Sequence, residues 1–409
     1  MEIENLIKKL VFEKDEETNK EIRKIAEKRG IRLDSTQKLY EAMAKEEVGG
    51  FTVPAINIRT FTFDTARLIF QLMKKKKVGP VIFELARSEI KYTDQPMPEY
   101  ATVILAAAIA AGYKGSVFVQ GDHFQIKEEK YFDPQKQDEE VSALKKLIHE
   151  SVGAGVYNID IDASTLVRLD SEDLMAQQLH NYSATAEMTK FIRTIQPKEI
   201  TVSVGGEIGE IGGKNSTPEE FQAFIEGYKK LMPPEMKGII KVSVQTGAAH
   251  GGIILADGSR ADIKLDLDVL QKISEEAKKY GLAGTVQHGA STLPDKYFDT
   301  FPQKKCIEVH LATAYMDVVF KHLLEELREK IYAFCRQNCA DDKKPEQTDE
   351  QFLMKTRKKA CEPFKKELWN LSPDVKSKII KELEAKFTMT FEKLGVCGTD
   401  KIVKKLYKK

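Results

Sequence analysis

From Phe51 onward the chain alternates short apolar runs with stretches whose apolar residues recur every three or four positions. The runs occupy 53–58, 80–85, 116–121, 156–161, 200–205, 241–245, 283–287 and 306–311, and helical patterns between them include 62–75, 139–151, 184–195, 218–231 and 267–280. Several runs are apolar almost throughout rather than alternating, which suits a parallel sheet covered on both faces. Eight such strands with intervening helices over roughly 260 residues predict an α/β fold, a (β/α)8 TIM barrel. A doubly wound open sheet has the same rhythm. The barrel is favoured because polar residues follow nearly every run, whereas an open sheet gathers them at one switch point.

The flanks read differently. Residues 1–48 read as helices: Ile3, Leu6, Ile7 and Leu10 recur at helical spacing, and so do Leu39, Ala42 and Met43. Gly30 interrupts the first pattern, and Asp34-Ser35-Thr36 offers an N-cap for the next. After Thr313 the pattern is helical again, with 315–336 as one long helix, a charged break at 341–345, and further stretches at 347–369 and 373–393. The expected organisation is an N-terminal helical extension (1–50), the barrel (51–330) and a C-terminal helical extension (331–409).

Composition narrows the function. A formal net charge of +1 gives no global field toward nucleic acid or an anionic membrane, so neither is an expected partner. No apolar run reaches the roughly 18 residues of a membrane span. The alanine-rich stretch 101–112 reads as a buried helix. Five cysteines, an odd number, and a start that is charged from its second residue point to reduced thiols in the cytoplasm.

The chemistry gathers where strands end. Of seven histidines, His123, His250 and His288 each follow an apolar run with glycine close by, at equivalent places in a repeating βα unit. One such histidine alone is more often structural, but three together point to a metal site. Three imidazoles with open positions suit catalytic zinc, and iron or cobalt would accept the same ligands. Asp122 adjoins His123 and is placed to move a proton beside the metal; its alternative is to hold a strand-end amide. Asp160 and Asp162 share one face of a strand, where two buried acids repel unless they meet a cation or share a proton. Glu207 enters a glycine-rich loop, and Gly251, Gly289 and Ser291 lie in loops whose amides can approach an anion closely.

Together these segments resemble the class II, metal-dependent fructose-bisphosphate aldolase family, in matching order from about Thr52 to Thr313. Val53-Pro54-Ala55-Ile56-Asn57, Asp122-His123, Asp162-Ala163-Ser164, Glu207 through Gly213, Ala249-His250-Gly251 and His288-Gly289-Ala290-Ser291 carry the match. The resemblance implies a barrel in which His123, His250 and His288 hold a zinc ion. Asp162 and Glu207 would be alternate ligands or ligands of a second metal, and Asp122 would protonate the aldehyde-derived oxygen. Asn57, Gly251, Gly289, Ser291, His310 and Thr313 would contact a phosphorylated sugar. The implied reaction is cleavage or formation of a ketose bisphosphate, fructose 1,6-bisphosphate first, within glycolysis and by a homo-oligomer. Another ketose such as tagatose 1,6-bisphosphate, or a non-catalytic subunit supporting a partner enzyme, is the alternative. Four positions depart from the family pattern. The loop after Gly213 runs almost at once into a helix, a second-strand serine is replaced by Ala86, an eighth-strand asparagine by His310, and a lysine by Ile254. Arg59 and Arg87, just past the first two strands, are candidates for the missing cation.

Overall fold

The computed structural model describes residues 2–209, 214–247, 252, 254–261 and 265–408. Among these, nine strands form one all-parallel sheet. β1 is Ile31–Asp34, β2 Val53–Asn57, β3 Ile82–Ala86, β4 Gly115–Gln125, β5 Asn158–Asp162, β6 Ser203–Glu207, β7 Lys241–Val244, β8 Gly284–Gln287 and β9 Cys306–Leu311. Strands β2 to β9 pair in sequence order, and β9 returns to β2 with His310 beside Ala55. The eight close on themselves, so the chain folds as a (β/α)8 barrel with added helices, and the open-sheet alternative is excluded. All eight apolar runs fall on barrel strands. In β2, β3 and β5 to β9 every residue is buried, as parallel strands with two covered faces require.

β1 corrects the all-helical reading of residues 1–48. Its four residues pair with Gly115–Phe118 in the first half of β4, ahead of the point where β5 takes over at Gln120. Asn158 joins the two neighbours: its carboxamide oxygen accepts from the Thr36 amide at 2.7 Å and its nitrogen donates to the Val119 carbonyl at 2.9 Å. A four-residue strand after a glycine leaves too little periodicity to separate it from a helix end.

The long helix expected over 315–336 is two, Thr313–His322 and Glu325–Asn338, with Leu324 extended between them at ψ 144°. Charge explains the break. Lys321 and His322 close the first helix and Glu325 and Glu326 open the second, the signs each helix dipole prefers at those ends.

The last helices pack back onto the barrel. Pro373–Lys393 lies against Thr62–Lys76 and Thr313–His322. Tyr407 donates to the Ser35 carbonyl at 2.7 Å, and the Gly79 amide donates to Thr399 Oγ1 at 3.1 Å. A Cβ at Gly79 would lie 2.6 Å from the Thr399 carbonyl oxygen, closer than real Cβ atoms come. Gly79→Ala is therefore expected to cost about 1–3 kcal/mol in urea unfolding. A midpoint equal to the parent's would show that this docking yields freely. No helix among the described residues is long and apolar enough to cross a membrane.

Candidate active site

Asp122 and His123 reach the barrel mouth by a route that periodicity does not reveal. β4 does not stop at Gly121, as the strand-end reading of this stretch expects, but continues to Gln125. Between the pairs Gly121–Ile159 and Phe124–Ile161, two β4 residues oppose one residue of β5, which is a β-bulge. His123 takes φ +39°, a conformation rare outside glycine, so two neighbours that a regular strand would send to opposite faces share one pocket.

His123, His288 and His310 converge there. The ring centroids of His123 and His288 are 4.1 Å apart, and those of His288 and His310 are also 4.1 Å apart. Each ring is oriented by its neighbours. Asp162 Oδ2 stands 2.9 Å and Glu207 Oε2 3.3 Å from His123 Nδ1. Ser243 Oγ lies 2.9 Å from His288 Nε2. Asp162 is itself fixed, with Oδ1 accepting from the Ser164 amide and hydroxyl and Oδ2 from Gln125. Asp122 Oδ1 stands 3.9 Å from both His123 Nε2 and His288 Nδ1 and 3.1 Å from His310 Nδ1. That oxygen is buried with no aligned hydrogen bond.

His123, Glu207 and His288 each offer a ligand atom within 4.8 Å of the others, and so do Asp122, His288 and His310. A carboxylate on one ring nitrogen, leaving the other for the mouth, is the usual support of a metal-binding imidazole. With the buried Asp122 oxygen beside it, this donor set fits a divalent ion. His250 and Gly251 lie outside the described residues, as do Glu210, Ile211, Gly212 and Gly213 of the loop after Glu207.

The remaining expected residues line the same cavity of about 700 Å³: Asn57, Gly289, Ser291, His310 and Thr313, with Asp162 and Glu207 set behind His123. Gly289, at φ +69°, turns the chain into the short helical turn carrying Ser291, whose hydroxyl accepts from the Ala314 amide at 3.3 Å. Ala86 and Ile254 also reach the cavity. Arg59 and Arg87 are at the rim. Arg59 pairs with Glu89 at 2.7 Å and donates to Thr313 Oγ1 at 3.4 Å, and Arg87 pairs with Glu140.

Charge on this floor is arranged by burial. Burial disfavours a charged ring on His123, but Asp122, Glu207 and Asp162 outweigh it and hold its pKa well above the ordinary value. Burial also pushes Glu207 up to about 7, helped by Asp162 and opposed by His123. For Asp122, burial is overcome by His123, His310 and His288, which keep it well below the usual carboxylate range.

Class II fructose-bisphosphate aldolase is the family whose sequence model matches, over residues 35–373. The chain belongs to that family. It is a metal-dependent aldolase, a carbon–carbon lyase. Solved structures agree on the fold at low identity. The YdjI aldolase from Escherichia coli K12 is 13% identical with a TM-score of 0.54, covering 90% of this chain and 99% of that one. A probable tagatose 6 phosphate kinase from Sinorhizobium meliloti 1021 is 13% identical at 0.58, covering 87% and 93%. A fructose-bisphosphate aldolase from Campylobacter jejuni is 18% identical at 0.51, covering 90% and 96%. No curated protein sequence matches the chain.

Beneath the mouth this aldolase carries a charged barrel interior that sequence reasoning missed. Lys241, 1% exposed, donates to Gln120 Oε1 at 2.8 Å, to Asp160 Oδ2 at 2.9 Å and to Glu308. Glu308 also accepts from Tyr40 and from Gln120 and stands 2.7 Å from His310 Nε2. Gln120 continues to Glu84, whose Oε2 is 3.1 Å from His310 Nδ1. The acid–cation question raised by Asp160 and Asp162 has two answers: Asp160 meets Lys241, and Asp162 meets His123. Burial works against ionising Glu308, yet Lys241 and His310 hold it down at about 2, whereas burial leaves Asp160 raised to about 6 and Glu84 to about 7. The available signal was a charge set inside an otherwise apolar run, at positions 84, 160 and 308, or opening one, at position 241.

Proposed function

We propose that this aldolase cleaves and forms a ketose bisphosphate, with fructose 1,6-bisphosphate the first candidate and glycerone phosphate and glyceraldehyde 3-phosphate its products. The observation carrying this reading is a vertical separation of charge. Histidines and carboxylates make the floor of the cavity, while Arg59, Arg87, Lys91, Lys127 and Lys358 stand around its rim. Such a site takes a ligand that is anionic at its ends and binds metal through neutral oxygens. Zinc is the ion we assign, held by His123, His288 and His250 with Glu207 in reserve, because two or more imidazoles with an open position suit it best. When bound, a divalent ion supplies Lewis acidity to the ketone beside the bond that breaks.

The protein's own groups do the rest. Asp122, with its buried Oδ1 3.1 Å from His310 Nδ1 and 3.9 Å from His123 Nε2 and His288 Nδ1, is the carboxylate placed to take the proton of the C4 hydroxyl as the C3–C4 bond breaks. The bond's electron pair moves onto the ketone as an enolate, whose C3 carbon then takes a proton from solvent to give glycerone phosphate while Asp122 releases its proton to solvent. In condensation Asp122 delivers a proton to the aldehyde oxygen. Asp162 and Glu207 fix the ring of His123 so that this geometry is ready before substrate arrives. Thr313, Ser291 and Gly289 lie together where a phosphate would dock. Five cysteines free of disulfides suit placement in cytoplasmic sugar-phosphate metabolism.

The test is a cleavage assay over a panel of ketose phosphates, using protein reloaded with zinc and with cobalt. Turnover of at least one phosphorylated ketose, abolished by a chelator and restored by metal, is expected. No turnover with any of them would end this reading.

A further inference from the structure

The eighth barrel strand carries a histidine where the family pattern has an asparagine, and that ring is held in an unusual way. β9 sends Glu308 and His310, two residues apart, to the same inner face. Its register with β8 pairs Gln287 with Val309, so the residues one step on, His288 and His310, stand side by side at the mouth. Their rings lie 34° from parallel. Glu308 Oε1 meets the inner nitrogen of His310, Nε2, at 2.7 Å. That side of the ring is closed, because the grouping of Asp160, Glu308 and His310 already holds the Lys241 ammonium.

The other nitrogen, Nδ1, is buried and makes no aligned hydrogen bond. Two carboxylate oxygens nevertheless stand beside it, Glu84 Oε2 and Asp122 Oδ1, each 3.1 Å away. A doubly protonated ring bridging two acids would aim its N–H along one of those contacts. Neither is in line, and among the described residues neither Glu84 nor Asp122 pairs with a lysine or arginine. Two buried carboxylates so placed call for a cation close by. His310 also repeats a pattern present twice at this site. Asp162 meets His123 Nδ1 and Ser243 meets His288 Nε2, and in each ring the second nitrogen lies 3.9 Å from Asp122 Oδ1. An imidazole fixed through one nitrogen, with the other opening into a cluster of donors, is the arrangement of a metal ligand.

We propose that His310 is a ligand of the catalytic ion in this chain, binding through Nδ1 beside His288, at a position where the family pattern supplies a carboxamide. This rests on the metal assignment above. With His123, His288 and His250 the ion then meets four imidazoles rather than three, and Asp122 has no ligand to provide. Nε2–H of His310 donates to Glu308, so the Lys241 cluster beneath the mouth supports a ligand as well as the barrel.

Cobalt(II) added to the metal-free protein reads this directly and needs no substrate. Each imidazole on the paramagnetic ion gives one strongly shifted, exchangeable N–H resonance in the proton spectrum. The parent is expected to show four and His310→Asn one fewer, with cobalt affinity weakened by about 100-fold or more. Asparagine is the residue the family pattern has there, so the barrel should accept it. His310→Gln is the second variant, and circular dichroism checks that both are folded. An unchanged number of shifted resonances in the folded variants overturns the proposal, whatever the affinity does, since a ring that only braces Asp122 or Glu308 takes no N–H from the metal. If neither variant folds, the parent decides: four resonances support the proposal and fewer overturn it. Ligand and reaction fail separately. Cobalt held through His310 in a protein that cleaves no ketose phosphate sinks only the reaction, and cleavage with an unchanged resonance count sinks only this ligand.

Discussion

Lys241→Met is expected to lower the unfolding free energy by about 3–5 kcal/mol, because it strands two buried carboxylates that now share one ammonium. Asp160 and Glu308 face that ammonium from opposite sides of the barrel, and among the described residues neither pairs with another cation besides the ring of His310. Without Lys241 both carboxylates would be driven toward their neutral forms, so their folded pKa values would rise above the unfolded ones. The sign follows: groups with raised folded pKa give their stability below the unfolded pKa and lose it as pH climbs through the folded one. The deficit against the parent should be smallest near about pH 5 and grow toward neutrality. Urea melts of both proteins across that range would show it. A deficit under about 1 kcal/mol at neutral pH would mean that water or local relaxation replaces the ammonium.

The second large effect separates the ligand from the proton carrier. His123→Ala should lose bound metal and, with it, turnover by on the order of 10³-fold or more, since several kcal/mol of transition-state stabilisation go with the ion. Asp122→Asn keeps the shape and removes the proton acceptor. Its kcat should fall by about 10²- to 10⁴-fold while metal content stays at the parent's level. Metal analysis and steady-state kinetics on the two variants distinguish these outcomes. If Asp122→Asn empties the site of metal, the carboxylate is a ligand and the proton must move by another group. If His123→Ala retains its metal and rate, the centre lies elsewhere.

Much of the fold could be read from the sequence because parallel barrel strands bury both faces. A short run that is apolar almost throughout, such as 53–58, reads as a strand between two helical patterns. β1 could not be read, since Ile31-Arg32-Leu33-Asp34 gains its identity only from pairing with Gly115–Phe118 far along the chain. For the candidate site, the sequence offered the residues that line the cavity and not their geometry. Asp122 and His123 stood out as an acid–imidazole pair after a glycine, but the bulge that turns both inward depends on the register between β4 and β5. The Lys241 network was hidden for a related reason: a lysine opening an apolar run looks like a strand end facing solvent until the barrel closes around it. Lys358 was beyond reach, because nothing local connects residue 358 with the ends of β2 and β3.

The share of the cavity wall that comes after the last strand also bears on biosynthesis. The eight strands are complete by Leu311, so a nascent chain can close its barrel while the part of the cavity wall formed by Met354, Lys355 and Lys358 is still inside the ribosome. That wall is finished only after some fifty further residues have emerged and docked, so enclosing the cavity is the last step the growing polypeptide completes at the barrel mouth.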